Sequence, residues 1–340
     1  MKLEEADRLE AFRAEWDELG VRSRNVFSTW EWMTIWRSHF AADRSLRVVG
    51  CRLDDGRLAA ILPLFMAGTR PVRVLRFLGR GHADELGPVC APDDRAAAAE
   101  TLQRTIEDGR SDLFLGDNLP ADFDWPQALG AKVVDRIASP LVRFDGQGWD
   151  KYIRERSVGL TRQLGRLERR LAKHGIRYRL TTDSGRVQDD LDTLFSLHTA
   201  RWQGSKWFVS AEAFHREFAA AAFERGWLRL WIMELEGVPA AAWLGYRFAG
   251  IESYYQAGRD PAWGNLSVGL VLLAHTIRAA LEDGLGEYRF LCGSEGYKFR
   301  FATEDPGVVS VARATSLAGR AGLSARSARR AVRRLASKLA

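Results

Sequence analysis

Two stretches of the chain repeat one pattern of apolar and polar positions. LRVVGCRLDDGRLAAILPLF (46–65) and LRLWIMELEGVPAAAWLGYRF (228–248) each consist of an apolar run, an acidic turn with a glycine, and a second apolar run. Short apolar runs joined by such a turn are typical of β-hairpins. Gly56 and Gly237 occupy the turn, and a pair of alanines follows at the same place in both. The pattern predicts two equivalent hairpins.

A second pair of segments lies downstream of each hairpin. AAAAETLQRTIEDGRSDLFLGD (96–117) and LVLLAHTIRAALEDGLGEYRFLCGS (270–294) both predict a helix that ends at Glu-Asp-Gly, followed by a short buried strand. Gly109 and Gly284 stand where a helix end favours a residue with positive φ. Because the elements recur in the same order, we predict a duplicated α/β (α+β) fold, with a mixed, mostly antiparallel sheet flanked by helices in each unit.

Amphipathic helices flank these units. Ser28 and Glu31 predict a capping box for a helix that places Trp32, Trp36 and Phe40 on one face. The segment 151–175 has leucines at helical spacing, and basic residues cover its other faces, which suits either a solvated surface or an anionic partner. We predict a first unit at 1–150, a helical connector at 151–175, a second unit at 176–315, and a basic amphipathic tail at 316–340.

Composition limits where the protein works. The longest apolar run, 58–68, is shorter than the roughly 18 residues that cross a bilayer, and the acidic start lacks the features of a secretory signal. We therefore expect a cytoplasmic protein. Its net charge of +6 is concentrated from Arg313 onward, which suits either a peripheral contact with an anionic membrane surface or a disordered tail that increases solubility. The three cysteines lack metal-ligand spacing, so buried thiols and no metal site are expected.

The loop between 257 and 266 is the strongest candidate for a binding site. It leads from a strand predicted at 254–257 into a helix predicted at 266–281, and the first turn contains Ser267 and Gly269. Unpaired amides at a helix start attract phosphate, so Leu266 to Leu270 are expected to bind an anion. The matching helix in the first copy begins with Asp93 and Asp94, expected to cap it and repel phosphate. The alternative is a capped helix whose glycine only permits close packing.

LHTARW (197–202), GRDPAWGNLSVGLVLL (258–273) and FLCGSEGYKFRFA (290–302), with the basic connector, resemble the double GNAT-fold acyltransferases over residues 25–312. The branch in question holds the CelD-type acetyltransferases named for cellulose biosynthesis and the related Fem peptidyl transferases. The resemblance implies that backbone amides of the loop bind the diphosphate of acyl-coenzyme A. NLSVGL keeps one central glycine of the GNAT pattern Gln/Arg-x-x-Gly-x-Gly/Ala and lacks its leading residue, which leaves open an acyl carrier protein or an aminoacyl-tRNA as donor.

The resemblance and the residue chemistry together give candidate roles. The donor is expected at Gln256, Leu266, Ser267, Val268, Gly269 and Leu270. The catalytic candidates are Tyr297 as general acid, His198 and Asp84 as alternative bases, and Glu295 as the nearest carboxylate. The candidate substrate contacts are Arg201, Trp202, Tyr254 and Lys298. For Tyr297, Lys298 and His198, packing alone is the competing interpretation.

The expected function is acyl transfer from acyl-CoA to an amine, without a metal. The resemblance points to a cell-envelope acceptor, either an amino sugar of a polysaccharide precursor or a lipid amine such as a sphingoid base. One alternative is a Fem-like peptidyl transferase that uses aminoacyl-tRNA, the only case in which nucleic acid is expected. The other alternative is a binding module that has kept the fold and lost the chemistry.

Overall fold

The computed structural model describes residues 1–68, 71–201 and 207–326. The chain divides into two compact units, one formed by Met1–Ile137 with the segment from Pro306 onward, and one formed by Ala138–Asp305. Each unit contains a β-sheet flanked by helices, as the repeated pattern predicts.

The strands, in chain order, are β1 (Lys2–Ala6), β2 (Leu46–Arg52), β3 (Leu58–Gly68), β4 (Val74–Phe77), β5 (Val89–Cys90), β6 (Leu113–Pro120), β7 (Lys132–Ile137), β8 (Leu141–Arg143), β9 (Arg177–Leu180), β10 (Leu228–Leu235), β11 (Val238–Phe248), β12 (Ile251–Arg259), β13 (Glu287–Arg289) and β14 (Val308–Ala314). The α-helices are α1 (Arg13–Ser23), α2 (Trp30–Phe40), α3 (Arg95–Glu107), α4 (Trp125–Ala128), α5 (Trp149–Arg156), α6 (Val158–Ala172), α7 (Val187–Arg201), α8 (Glu212–Glu224), α9 (Val268–Glu282) and α10 (Gly296–Phe299). Residues 317–326 are also helical.

The first sheet has the order β1-β2-β3-β4-β6-β14-β7, with β5 beside β3. β2 and β3 form the predicted antiparallel hairpin, and β4 and β6 are parallel, joined through α3. Leu102 and Ile106 of α3 pack on one face of this sheet against Leu75 and Phe114. Gly109 ends α3 with a φ of 80°, as its position after the helix predicts.

The second sheet has the order β8-β13-β12-β11-β10-β9. β10 and β11 form the second predicted hairpin, and β12 and β13 are parallel, joined through α9. The leucines of α6 are buried in one apolar cluster with the inner face of α9, so the amphipathic pattern of the connector is confirmed; they are Leu160, Leu164, Leu167 and Leu171. Gly284 ends α9 with a φ of 76°.

The borders of the units differ from the predicted ones because two strands belong to sheets that are distant in sequence. β14 lies between β6 and β7 in the first sheet, whereas β8 pairs with β13 in the second. The segment 151–175, predicted as a separate connector, is part of the second unit as α5 and α6. The predicted tail is helical over 317–326, and its remainder, 327–340, lies outside the described residues.

The start of α2 differs in detail from the predicted capping box. Thr29, rather than Ser28, precedes the helix, and its hydroxyl accepts a hydrogen bond from the amide of Trp32. Trp32 and Trp36 are buried as predicted, but Phe40 is 39% exposed and stacks on His82. The apolar stripe therefore packs into the core at two of its three predicted positions.

Cys51 and Cys90 are buried free thiols, whereas Cys292 is only partly buried. Over residues 1–68, 71–201 and 207–326, no cluster of histidine, cysteine and carboxylate side chains has the arrangement of a metal site. In those same ranges, no helix combines the length and the apolar composition required to cross a bilayer.

Candidate functional site

A cavity of about 270 Å³ opens in the second unit where β12 leads into α9. It brings together several residues predicted to form the site, namely Arg201, Tyr254, Ser267, Gly269, Leu270 and Tyr297. Trp243 and Leu273 line its apolar wall, and Arg259 and Gly264 lie on its polar side. A concave, mostly apolar space with a few convergent polar groups is the usual form of a ligand site.

One wall of the cavity is a free strand edge. β12 pairs with β13 only at Ile251, Glu252 and Ser253. From Tyr254 to Arg259, none of the described strands lies on that side of β12. In the register with β11, Tyr255 is the extra residue of a β-bulge, because Leu244 pairs with Gln256 and Gly245 pairs with Tyr254. The backbone along this edge is therefore accessible to an extended ligand.

The helix start beside this edge is open, but less so than the sequence predicts. Residues Pro261–Leu266 form a 3-10 helix, and Ser267 takes a left-handed conformation (φ 50°) before α9 begins at Val268. The Ser267 amide donates to the Gly264 carbonyl at 3.2 Å, and the Leu270 amide donates to the Ser267 carbonyl at 2.9 Å.

The prediction that all amides from Leu266 to Leu270 are free was therefore wrong for Ser267 and Leu270, and Leu266 belongs to the preceding 3-10 helix. Among the described residues, no acceptor faces the amides of Val268 and Gly269, and no side chain caps the helix. The side chains of Leu266 and Val268 are buried in the apolar core and do not line the cavity. Gly269 lines the cavity, so its amide remains available for an anion, whereas Val268 is 0% exposed.

Arg259 is a site residue that the sequence did not reveal. A Cβ atom added to Gly269 would lie 3.6 Å from Arg259 Cδ, and one added to Gly264 would lie 3.6 Å from Arg259 Nη1, so the side chain extends along the loop. In the described part of the chain, its guanidinium has no ion-pair or hydrogen-bond partner. A guanidinium beside a helix N-terminus adds its charge to the positive end of the helix dipole. The sequence analysis places Arg259 in the loop after the strand predicted at 254–257, whereas the structure extends β12 to Arg259.

The corresponding helix start in the first unit is closed. The cavity near it is only about 20 Å³. Asp94 precedes α3 but does not cap it, contrary to the prediction. Instead its carboxylate accepts two hydrogen bonds from Arg57, at 2.7 and 2.9 Å, and one from Arg22, at 3.1 Å, and these contacts lower the pKa of Asp94. The Asp94 carboxylate therefore forms salt bridges and does not cap α3.

Gly258 lets α7 approach the cavity. A Cβ atom at this position would lie 2.4 Å from the backbone nitrogen of His198 and 2.5 Å from the carbonyl carbon of Leu197. Because the glycine allows this close backbone contact, the end of α7 reaches the site and Arg201 lines the cavity. Trp202, the next predicted contact, lies outside the described residues.

His198 is buried and does not line the cavity. Burial, with a smaller contribution from Arg201, lowers its pKa, and a hydrogen bond with Gln256 opposes the shift. Gln256 contacts this histidine and likewise does not line the cavity. The assignments of His198 as a base and Gln256 as a donor contact stay predictions.

Two of the residues that line the cavity are tyrosines whose hydroxyls meet. The hydroxyl of Tyr297 donates to that of Tyr254 across 3.5 Å, and the ring of Tyr254 stacks on Trp243 with 5.7 Å between centroids. Burial raises the pKa of Tyr297 well above its usual value. Its phenol therefore stays protonated near neutral pH and is a hydrogen-bond donor in a largely apolar space.

Lys298 and Glu295 hold a turn together instead of facing the cavity. The Lys298 ammonium donates to the Cys292 carbonyl at 2.7 Å and forms an ion pair with Glu295 at 3.0 Å. Lys298 is 4% exposed, whereas Glu295 is exposed. The structure does not bring either residue to the cavity. Asp84, the other candidate base, belongs to the first unit, between β4 and β5.

A known protein family matches the part of the chain that forms the cavity. Residues 160–299 match a family described as an acetyltransferase (GNAT) domain, and they include every residue named above as lining the cavity. No curated protein sequence matches the chain.

Solved structures share the fold over nearly the whole chain. FemX superposes with a TM-score of 0.63 at 11% identity, covering 92% of this chain and 97% of FemX. The C-terminal domain (DUF2156) of a proposed lysylphosphatidylglycerol synthetase from Agrobacterium fabrum gives a TM-score of 0.57 at 11% identity, covering 94% of this chain and 95% of that domain. The family match and the shared fold together show that this chain has the fold of GNAT acetyltransferases, with the matched domain around its cavity.

Proposed function

We propose that the protein is an N-acyltransferase that moves an acyl group from acyl-CoA to an amine. The observation that carries this proposal is a cavity lined by a free strand edge, by Gly269 at the start of α9, by two tyrosines whose hydroxyls meet, and by Arg259, which has no ion-pair partner within the described residues. These groups match the successive parts of a CoA thioester, namely its diphosphate, its amide-containing arm and its reacting carbonyl.

The polar side of the cavity suits the diphosphate. In this proposal the amide of Gly269 donates a hydrogen bond, and Arg259 supplies a charged donor that replaces the missing motif side chain. The edge of β12 from Tyr254 to Arg259 offers backbone donors and acceptors to the two amides of a pantetheine arm, as an added strand would use them. The bulge at Tyr255 supplies an irregular backbone position from which an amide can support the carbonyl oxygen.

The reaction needs no covalent enzyme intermediate. The amine nitrogen forms a bond to the carbonyl carbon, the carbon–sulfur bond breaks, and the proton lost by nitrogen leaves through a base. In this proposal Tyr297, which lines the cavity, exchanges its hydrogen bond to Tyr254 for one to the sulfur. The pKa of Tyr297 is raised and therefore lies above that of an ordinary thiol, about 8.5. We propose that Tyr297 stabilises the thiolate by donating a hydrogen bond and stays protonated itself.

The base and the acceptor are the remaining parts of the proposed reaction. A neutral His198 can accept a proton, because its lowered pKa leaves it uncharged near pH 7. We propose an amine of the cell envelope as acceptor, either an amino sugar or a lipid amine of the sphingoid type, acylated at the cytoplasmic face of the membrane. The support is the basic composition after Arg313, which favours an anionic surface.

Calorimetry with CoA tests the donor site. Gly269→Asp places a carboxylate beside the open amide and should abolish binding, whereas Gly269→Ala should retain it, since the added Cβ meets only Arg259 Cδ at an ordinary 3.6 Å. Arg259→Ala removes a charged hydrogen bond of about 1.5–3 kcal/mol and should weaken binding about 10- to 150-fold. Arg170→Ala, on the exposed face of α6, is the matched control. Equal CoA affinity of Gly269→Asp and the native protein would refute the site.

A mass-based screen of acyl-CoA chain lengths against pooled amines then identifies the reaction. Acylated amine supports the proposal. Salt-sensitive binding of aminoacyl-tRNA without any binding of CoA would instead support peptidyl transfer. CoA binding without turnover of any amine would support a module that has lost the chemistry. Unchanged sedimentation with anionic vesicles after removal of residues 327–340 would contradict the proposed membrane contact of the tail.

A further inference from the structure

The outer side of α6 carries a dense row of basic residues. Its inner side is buried through four leucines. With about 3.6 residues per turn, positions 162, 166, 169, 170 and 173 share an arc of about 100° on the opposite side, over about 16 Å of helix. All five positions are exposed and basic, and we call them the α6 basic stripe: Arg162, Arg166, Arg169, Arg170 and Lys173, which directly follows α6.

The stripe lacks counter-ions. In the part of the chain that the structure describes, none of its five side chains forms an ion pair or a side-chain hydrogen bond. Glu168, the one carboxylate of α6, lies about 140° around the helix from the middle of the stripe and interacts with Tyr178. Residues 69–70, 202–206 and 327–340, which lie outside the description, contain no aspartate or glutamate.

The carboxylates on the elements packed around α6 have basic partners of their own. They are Glu155 with Lys151, Glu236 with His174, and Glu282 with Arg278. In α5, the helix before α6, Lys151, Arg154 and Arg156 outnumber Asp150 and Glu155. The surroundings therefore do not neutralise the stripe, which is suited to an anionic partner.

Exposed apolar side chains lie at the amino-terminal end of the stripe. Val158 precedes Arg162 by one helical turn, so it lies on the same side of α6, and it is 61% exposed. Phe299, at the end of α10, is 43% exposed, and the next residue, Arg300, donates a hydrogen bond to the side chain of Gln163 in α6. Apolar and basic surfaces are therefore adjacent here.

Both ends of α6 touch elements that form the cavity of the second unit. Gln163 contacts Arg300, which directly follows α10, and α10 lines the cavity through its tyrosine. Beyond the other end, the ring centroid of His174 lies 5.2 Å from that of Trp263, in the 3-10 helix Pro261–Leu266 that borders the cavity. A partner that binds α6 therefore lies beside the elements of the cavity.

Charge complementarity and the apolar end together favour one kind of partner. A phosphate backbone or an acidic protein surface complements the basic side chains. A bilayer with anionic lipids complements them as well, and it also takes up exposed valine and phenylalanine side chains at the boundary between head groups and acyl chains. We propose that α6 docks the protein on a bilayer rich in anionic phospholipid, with the basic stripe against the head groups and Val158 and Phe299 at that boundary. The docking stands whether or not the cavity binds acyl-CoA.

Sedimentation of the full-length protein with vesicles measures the docking. The native protein should partition into equimolar phosphatidylcholine and phosphatidylglycerol, and not into phosphatidylcholine alone. Each basic side chain at an anionic surface contributes about fivefold in affinity, so Arg166→Gln combined with Arg170→Gln should weaken partition about 25-fold in dilute salt. Raising NaCl from about 0.01 M to about 0.1 M shortens the screening length from about 30 Å to about 10 Å and should reduce that factor. Val158→Ser should weaken partition by a factor that does not change with salt, because an apolar contact is not screened.

A charge-matched control is Lys132→Gln combined with Arg136→Gln, at exposed positions of β7, which should partition as the native protein does. Thermal melting confirms that each variant is folded. Equal native partition into both kinds of vesicle, native partition by the α6 double variant, or equal weakening by the control would overturn the proposal. An unchanged partition of Val158→Ser would contradict a bilayer as the partner. Binding of transfer RNA or of an acidic carrier protein in place of vesicles, lost in the α6 double variant, would assign the stripe to that partner instead.

Calorimetry with CoA separates this proposal from the proposed function. Neither Arg166 nor Arg170 lines the cavity, so the double variant should bind CoA as the native protein does. A loss of CoA affinity in that variant would place the stripe in the donor site and contradict docking as its role. If the native protein binds no CoA, the acyl-CoA proposal fails, while the vesicle measurements still decide the docking.

Discussion

Substitution of Gly258 by alanine tests whether the backbone contact between α7 and β12 builds the cavity of the second unit. The new Cβ atom would lie 2.4 Å from His198 N and 2.5 Å from Leu197 C, whereas carbon atoms in van der Waals contact lie about 3.5–4.0 Å apart. Relief requires a relative shift of about 1 Å between helix and strand, because the crowded atoms are backbone and cannot rotate away.

Overpacking of a well-packed core lowers the free energy of unfolding by about 1–3 kcal/mol. Because the crowded atoms here are backbone, we expect a loss at the upper end of that range. For a unit of this size, about 3 kcal/mol corresponds to a fall in melting temperature of roughly 6–12 °C. The same shift moves the end of α7, so CoA affinity should fall because Arg201 lines the cavity. Differential scanning calorimetry and isothermal titration give the two quantities.

Gly269→Ala is the matched control in the same site. Its Cβ meets only Arg259 Cδ at 3.6 Å, and the position is helical, so stability should be unchanged or rise by up to about 1 kcal/mol. If Gly258→Ala melts within 1 °C of the native protein and binds CoA equally, the close contact between α7 and β12 does not build the cavity.

Three further substitutions separate chemical from structural roles. Tyr297→Phe should lower kcat about 10- to 150-fold by removing a hydrogen bond to a developing thiolate, with donor affinity within twofold of native; an unchanged kcat would exclude the role. Lys298→Met should destabilise the second unit by about 1–3 kcal/mol by breaking its bond to the Cys292 carbonyl, while the folded enzyme keeps its KM; a raised KM would restore Lys298 as a substrate contact. Burial lowers the pKa of His275 to about 4, so stability present above about pH 6.5 should be lost as pH falls towards 4, by up to about 2 kcal/mol given partial exposure. His275→Phe keeps the stacking on Tyr178 and should flatten that loss in urea titrations at pH 7, 5.5 and 4.5; an unchanged slope would exclude His275 as its source.

The features predicted correctly from the sequence are mostly local ones. The two hairpins and the ends of α3 and α9 depend on alternation, turn residues and a glycine with positive φ, which lie within a few residues of each other. The loop at 257–266 was also identified locally, because a helix start exposes amides whatever surrounds it. These parts of the fold and site follow from short-range rules.

The features that the sequence did not reveal depend on contacts between distant residues. The places of β8 and β14 in the sheets follow from pairing with β13 and β6, which no periodicity in the strands themselves specifies. Arg259 lines the cavity because its side chain follows the loop between Gly264 and Gly269, a path set by the surrounding packing. Lys298 looked like a substrate contact, but the turn at Gly293 gives its ammonium a carbonyl and a carboxylate within the protein.

The position of β14 has a consequence for synthesis on the ribosome. Residues 138–305 contain all strands of the second sheet, so this unit has its complete set of strands while β14 is still untranslated. The first sheet, although most of it emerges earlier, must wait for residues 308–314 to fill the place between β6 and β7. Until then both strands present open edges, which invite aggregation. Nascent chains are therefore expected to recruit chaperones late in translation, and a premature stop just before residue 308 should yield an insoluble product although all residues that line the second unit's cavity are present.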